Sequence, residues 1–322
     1  MKFYLTAILL LASFSLFAQK QNVYFLKDDG RYVTNRDSAD FIRIVREPDS
    51  ASTLYNIFEF YPNGTKKLVG KSSRIDPPKF EGPCVVYFKN GARKALFNYK
   101  NNLLSGAQYE YYPNGKIYIA KTYPEVKSEE YRETEDYLIT DELDSLGAVL
   151  VKDGNGYYKG FDDKFKKVID EGPIKDGKPE GQWKGTDEGM HLRFFENYSN
   201  GELVLGISVT DKGDTVKYTK ARGTEPHYKG GLTSFYSYIS NSVKYPDYEK
   251  EHNIHGKVIL SFIVEKDGAI TDIKVLSPVT VNIDNEAIRV LHESRKWIPG
   301  TFYGRPIRTQ YTIPMDFSLT EE

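Results

Sequence analysis

Leu54-Tyr55-Asn56-Ile57-Phe58-Glu59-Phe60-Tyr61-Pro62-Asn63-Gly64 reads as a strand running into a hairpin turn. Asn-Gly favours positive φ at both central positions of a type I′ turn, and strand-forming residues precede it. The same ending, an aromatic residue followed by x-Asn-Gly, returns as Phe88-Lys89-Asn90-Gly91, Tyr112-Pro113-Asn114-Gly115 and Tyr198-Ser199-Asn200-Gly201. The first three copies are 27 and 24 residues apart, and Ala107-Gln108-Tyr109-Glu110-Tyr111 leads into the third as a second clear strand. A complementary half-unit runs from Gly172 through Gly177 and Gly181 to Trp183, with a fainter echo from Tyr99 to Gly106. A period in the twenties implies stacked hairpins, each too small to bury its own face. The aromatic positions then serve to pack hairpin on hairpin. The other use for them is a face that binds a glycan, peptide or lipid.

These segments resemble MORN-like repeats of the YwqK type, closely over 56–123 and patchily over 150–201. The expected organisation is a signal peptide at 1–18, capping strands over 19–55, a hairpin-repeat array over 56–221 and a separate domain over 222–322. Asn22–Tyr32 and Ala39–Val45 supply the capping strands. Near 124–150 the period breaks around Glu129-Glu130-Tyr131-Arg132-Glu133-Thr134-Glu135-Asp136, an irregular insertion read as a solvated acidic face.

Composition excludes several classes. Lys plus Arg is 44 against 45 acids, with no long basic run to follow a phosphate backbone, so nucleic acid is not an expected partner. The single cysteine, Cys84, makes no disulfide within the chain and no thiolate zinc site by itself. There is no Gly-x-Ser-x-Gly, no phosphate loop and no His-Glu-x-x-His, so the protein reads as a non-enzyme without a cofactor. His252 and His255, with Glu249 and Glu251 nearby, are the nearest approach to a metal site and read as solvated. Residues 1–19 have a positive start, an apolar core from Phe3 to Phe17 and a small residue at Ala18, the pattern of a cleaved secretory signal. Fifteen positions are short for a membrane span, which needs about 20. An uncleaved inner-membrane anchor is the rival, and an exported, periplasmic protein the expectation.

From Arg222 the pattern changes. Leu232, Phe235, Ile239 and Val243 fall on one helix face, stopped near Tyr245-Pro246. Val258 to Val264 reads as a strand, Lys266-Asp267-Gly268 as a turn, and Ile270–Leu276 as the returning strand. Asp284 is placed as the cap of a second helix carrying Ala287, Ile288 and Leu291, and Arg308–Phe317 forms a third strand. The fold class expected is therefore a mostly β hairpin-repeat array followed by an α+β domain, with a three-stranded antiparallel sheet and two helices.

The segment carries Glu225-Pro226-x-Tyr228-x-Gly230-Gly231, Lys244-Tyr245-Pro246, Gly256-Lys257-Val258, Asp267-Gly268, Glu286-Ala287, Trp297-x-Pro299-Gly300, Gly304-x-Pro306 and Pro314-x-x-Phe317. In that order these residues resemble the TonB C-terminal domain. The resemblance implies a periplasmic domain whose last strand accepts an extended peptide, the TonB box of an outer-membrane receptor, by strand addition. By position that edge is Arg308, Thr309, Gln310, Tyr311, Thr312 and Ile313. The partners so implied are an outer-membrane TonB-dependent receptor or another envelope protein, with homodimer formation through the same domain as a competing use. A histidine-bearing anchor and a proline-rich spacer, which a standard energy transducer has, are missing from this sequence, so coupling to a proton-driven complex is not implied. The alternative is an envelope scaffold that binds glycan or outer-membrane components through its repeats.

Overall fold

The computed structural model describes residues 20–125 and 137–319. The expected signal segment and the acidic stretch at 129–136 lie outside the described residues. The chain forms two compact units, Met1–Gly156 and Tyr157–Glu322.

The first unit is an antiparallel meander of β1 (Gln21–Leu26), β2 (Phe41–Arg46), β3 (Tyr55–Phe60), β4 (Lys66–Ser72), β5 (Phe80–Tyr87), β6 (Arg93–Lys100), the short β7 (Leu103–Leu104), β8 (Gly106–Tyr111) and β9 (Ile117–Tyr123). It continues through β10 (Leu138–Leu143), β11 (Val149–Lys152) and the start of β12 (Asn155–Phe161). β10 pairs with both β9 and β11, each time with a register slip, so the stretch expected to be an irregular insertion contains β10 and the start of β11.

The Asn-Gly copies do form hairpins, but three of the four turns differ from the type I′ expectation. Gly64 is left-handed at φ +85°, whereas Asn63 is not, and the Gly64 N–H donates to the Tyr61 carbonyl at 2.8 Å while Tyr61 N–H donates to Thr65. This is a type I turn closed by a glycine bulge. The same bonds recur at Phe88–Ala92 and Tyr112–Lys116, each with a register slip beside it. In a two-residue loop Pro62 and Pro113 would have to donate to the opposite strand, and proline has no N–H, but Lys89 of the second copy has one and takes the same turn. The fourth copy has Ser199 at that position, and there Asn200 and Gly201 both have positive φ as in type I′.

The tyrosine before each Pro-Asn-Gly stitches its hairpin to the next. Tyr61 Oη donates to the Tyr87 carbonyl at 3.0 Å and Tyr112 Oη to the Leu143 carbonyl at 2.9 Å. Four residues before three of the turn asparagines stands a glutamate with a cation beside it. Glu59 meets Arg43 at 2.8 Å and Lys67 at 3.5 Å, Glu110 meets Lys121 at 2.8 Å, and Glu196 meets Arg222 at 2.6 Å. Pairing is what lets these carboxylates sit against apolar neighbours such as Ile57 and Ile119.

In the second unit β12 is followed by β13 (Val168–Lys175), the short β14 (Lys178–Pro179), β15 (Gly181–Asp187), β16 (Leu192–Ser199), β17 (Glu202–Thr210) and β18 (Thr215–Lys220). Here aromatic rings lie on strand glycines. A Cβ on Gly172 would enter the Trp183 ring, one on Gly185 the Phe194 ring, and one on Gly206 the Tyr218 ring. Glycine weakens a strand, and a ring from the next strand restores the buried contact.

After the two-residue β19 (Gly223–Thr224) come α1 (Gly231–Ser242), α2 (Asp247–Glu251), β20 (Gly256–Val264), β21 (Ile270–Ser277), α3 (Val281–His292), β22 (Thr301–Phe302), β23 (Arg305–Pro306) and β24 (Thr309–Phe317). The main sheet has the order β21-β20-β24, and β19, β22 and β23 form a second small sheet. Val258, Leu260, Phe262 and Val264 of β20 pack with Phe235, Ile283, Leu291 and Trp297 into one core. The three-stranded sheet is as expected, but among the described residues this segment has three helices rather than two. The extra α2 is five residues long, too short to show apolar periodicity. α3 is capped by Thr280, whose Oγ1 accepts from Ile283 N–H, four residues ahead of the expected Asp284; Asp284 instead accepts from Val279 N–H. Two of these elements are held by buried Glu249, which accepts from Thr280 Oγ1 at 2.7 Å and Asn282 Nδ2 at 3.1 Å.

Two outcomes test this packing. Gly206→Ala forces a methyl into the Tyr218 ring and is expected to destabilise the second unit by about 1–3 kcal/mol, read by denaturant unfolding. Cys84 is buried in the first unit, and burial, with the nearby Glu59 charge, pushes its thiol up to about 12. It is expected to resist iodoacetamide at pH 8 in the native chain and to react at once in denaturant.

Candidate peptide-binding edge

β24 lies at the margin of its sheet and, among the described residues, pairs with β20 alone, in unbroken register from Val264↔Thr309 to Gly256↔Phe317. Which of its backbone groups are free follows from parity. At the start of the β20–β21 hairpin, Glu265 N–H donates to Ala269 O, so Glu265 turns its backbone toward β21. Alternate residues Val264, Phe262, Leu260 and Val258 therefore turn theirs toward β24, where they meet Thr309, Tyr311, Ile313 and Met315. The outward groups of the edge belong to Gln310, Thr312, Pro314 and Asp316. Pro314 agrees with this parity, since at an inward position it would break the ladder.

The six residues expected at the edge thus divide. Gln310 and Thr312 offer outward N–H and C=O groups, and their side chains are exposed on the sheet face away from the helices. Gln310 Nε2 also donates to Ser261 Oγ at 3.0 Å. Thr309, Tyr311 and Ile313 spend their backbone groups on β20. Tyr311 packs its ring edge-on against Phe262 and Trp297, and Ile313 is buried in the core. Arg308 precedes the strand, and its guanidinium is engaged by Glu265 at 2.9 Å and Asp272 at 2.6 Å. Those bonds, Arg308 first and Thr271 second, hold the Glu265 carboxyl below its ordinary range, though all three groups are solvent-exposed and add little to stability.

Trp297 supports the edge from behind. Its ring sits between Phe235 at 5.1 Å and Phe262 at 5.2 Å, and the Trp297 backbone N–H donates to the carbonyl of Gly268, a residue with φ +82° where a Cβ would strike the Trp297 carbonyl. The tight β20–β21 turn is thereby tied to the segment that leads into β24. His252 and His255 stand apart from this site on the surface, bonded to the carbonyls of Tyr248 and Asn253. Among the described residues no group of three or more metal-ligating side chains occurs.

Sequence reasoning missed the neighbouring hairpin β22–β23. Its Tyr303, in the left-handed region at φ +51°, enters a core formed by Leu192, Phe194, Leu203 and Tyr218 of the hairpin sheet. Tyr303 O accepts from Ser208 Oγ at 2.9 Å, Tyr303 N–H donates to Arg222 O, and Arg305 donates to the Asp214 carbonyl at 2.6 Å. Gly304 comes against Val216 and Lys217, where a side chain would not fit. The expected border near 221/222 is therefore bridged by packed side chains inside one compact unit.

Residues 241–319 match the family model of the Gram-negative bacterial TonB protein C-terminal. This segment is TonB-like. Two curated relatives, the Protein TonB of Helicobacter pylori strains J99 and 26695, are 33% identical over 85 residues. Those residues are 26% of this chain, and the chain spans only 29% and 28% of the relatives' length. Two solution structures of the H. pylori TonB C-terminal domain align at 26% identity, covering 28% of this chain and 82% and 96% of theirs, with a TM-score of 0.23 over the whole chain. None of these relatives is described as an enzyme.

Proline substitution separates the two parities. Gln310→Pro is expected to cost about 1 kcal/mol, the loss of its bond to Ser261, whereas Tyr311→Pro breaks the ladder and costs roughly 3 kcal/mol or more. Thermal unfolding of the two variants checks this, and equal losses would overturn the assignment of free groups.

Proposed function

We propose that the protein is an exported, non-enzymatic component of the Gram-negative envelope whose C-terminal domain binds a protein partner by strand addition along β24. The partner suggested by the TonB-like segment is the TonB box of an outer-membrane receptor, which gives the protein a role in TonB-dependent transport. The observation that carries this reading is the unpaired side of β24, with Gln310 and Thr312 turned outward, in a segment that matches TonB. An extended peptide laid there gains main-chain hydrogen bonds without demanding particular side chains. The hairpin array then stands where a TonB spacer would be and positions the edge.

Binding is to be measured with residues 20–322 rather than with the C-terminal segment alone, because Tyr303 is seated among residues of the hairpin sheet. Receptor TonB-box peptides are expected to bind weakly, and Gln310→Pro to weaken them at least about fivefold, one hydrogen bond's worth. No binding at millimolar peptide to the folded chain overturns the receptor reading. Self-association in place of peptide binding, seen as a concentration-dependent mass in sedimentation, overturns it in favour of a homodimer. The mass of the protein recovered from cells tests export: loss of residues 1–18 supports a cleaved signal, and an intact N-terminus supports a membrane anchor. Among the described residues no helix is long and apolar enough to cross a membrane.

A further inference from the structure

The hairpin sheet of the second unit has two faces, and one is sealed by Tyr303. On the other, strand register sets Glu171, Lys184, Phe195, Ile207 and Lys217 in one row and Thr186, Arg193, Val209 and Thr215 in the next. This face carries large apolar side chains in the open: Phe195 is 48% exposed, Ile169 38% and Leu205 37%. Ile169 and Phe195 flank a slot of about 200 Å³ whose rim includes Glu171, Lys184, Thr186 and Arg193.

The charges on this face do not cancel. Lys184 is paired with Glu171 at 3.0 Å, but Arg193 and Lys217 are exposed and, among the described residues, have no ion-pair partner. An occupant therefore has to offer a flat apolar patch to Phe195, hydroxyls that both donate and accept beside Thr186 and the Glu171–Lys184 pair, and negative charge to Arg193 and Lys217. A bilayer surface satisfies the ring and the cations but would strip the remaining water from the Glu171–Lys184 pair without replacing its hydrogen bonds. A run of Asp and Glu satisfies the cations but presents no flat face to the ring. We propose that this slot binds an acidic glycan, one pyranose face on Phe195 and a carboxylate at Arg193. The site is independent of β24 and of strand addition.

The test uses residues 20–322 and calorimetric titration with a short oligogalacturonate, a neutral oligogalactan of equal length, polyglutamate and phosphatidylglycerol vesicles. The acidic oligosaccharide is expected to bind, with the neutral one at least about tenfold weaker. Phe195→Thr and Arg193→Gln are each expected to weaken it about fivefold or more, without lowering the melting temperature, because both side chains are exposed on a strand. Should either variant unfold, Lys217→Gln carries the same expectation at a second exposed position. Undiminished binding by the Phe195→Thr variant, no binding at about 10 mM oligosaccharide, or tighter binding of polyglutamate or vesicles than of the glycan each overturns the proposal.

Discussion

A two-stranded hairpin cannot bury a face by itself, and everything in this molecule follows from how one hairpin covers the next. In the first unit the cover comes from tyrosine hydroxyls that reach the backbone of the following hairpin and from glutamates that meet a neighbouring cation. In the second it comes from rings lying on glycines. The abundance of tyrosine is thus a consequence of stacking: the ring provides apolar area and the hydroxyl a bond to a main-chain carbonyl of the following hairpin.

Stacked hairpins form a sheet whose faces still have to be covered. Beside β18 one face is covered by the β22–β23 hairpin, with Tyr303 filling the space beside Phe194 and Tyr218 and Gly304 against Val216. Around this joint Arg222 lies over the Phe194 ring at 4.5 Å and is held by Glu196, a carboxylate buried to 3% exposure, so a buried charge of the hairpin sheet is neutralised by the residue that opens the C-terminal segment. The TonB-like segment is accordingly packed onto the sheet before it, one of its hairpins covering part of a face.

Much of this was legible in the residues. Asn-Gly located four hairpins, and alternation located β20, β21 and β24 to within two residues of their ends. The misses have local causes. Two of the three differing turns carry Pro62 or Pro113, whose missing N–H the Asn-Gly rule ignores, while no local feature separates Lys89 of the remaining one from Ser199. The α3 cap was placed at Asp284 because the apolar run starts just beyond it, whereas Thr280 lies a turn earlier and takes the N–H of Ile283. Tyr303 could not be found by any local rule, since its partner Ser208 is 95 residues away. At the candidate edge the strand itself was legible but not its parity: six residues in a row cannot all face outward, and only the Glu265–Ala269 bond fixes which ones do.

Pro314 also acts as a ruler. Along the outer margin of β24 the donors come in the order Gln310, Thr312, then a gap, then Asp316, whose carboxylate is drawn toward Lys257 at 3.8 Å. A strand annealing there finds two consecutive rungs and then loses its footing. Long, flat margins invite copies of a protein to polymerise into fibrils, and a short one guarded by proline and charge does not. The same residue that shortens the open margin also protects a chain rich in strands and aromatic rings from welding to its neighbours.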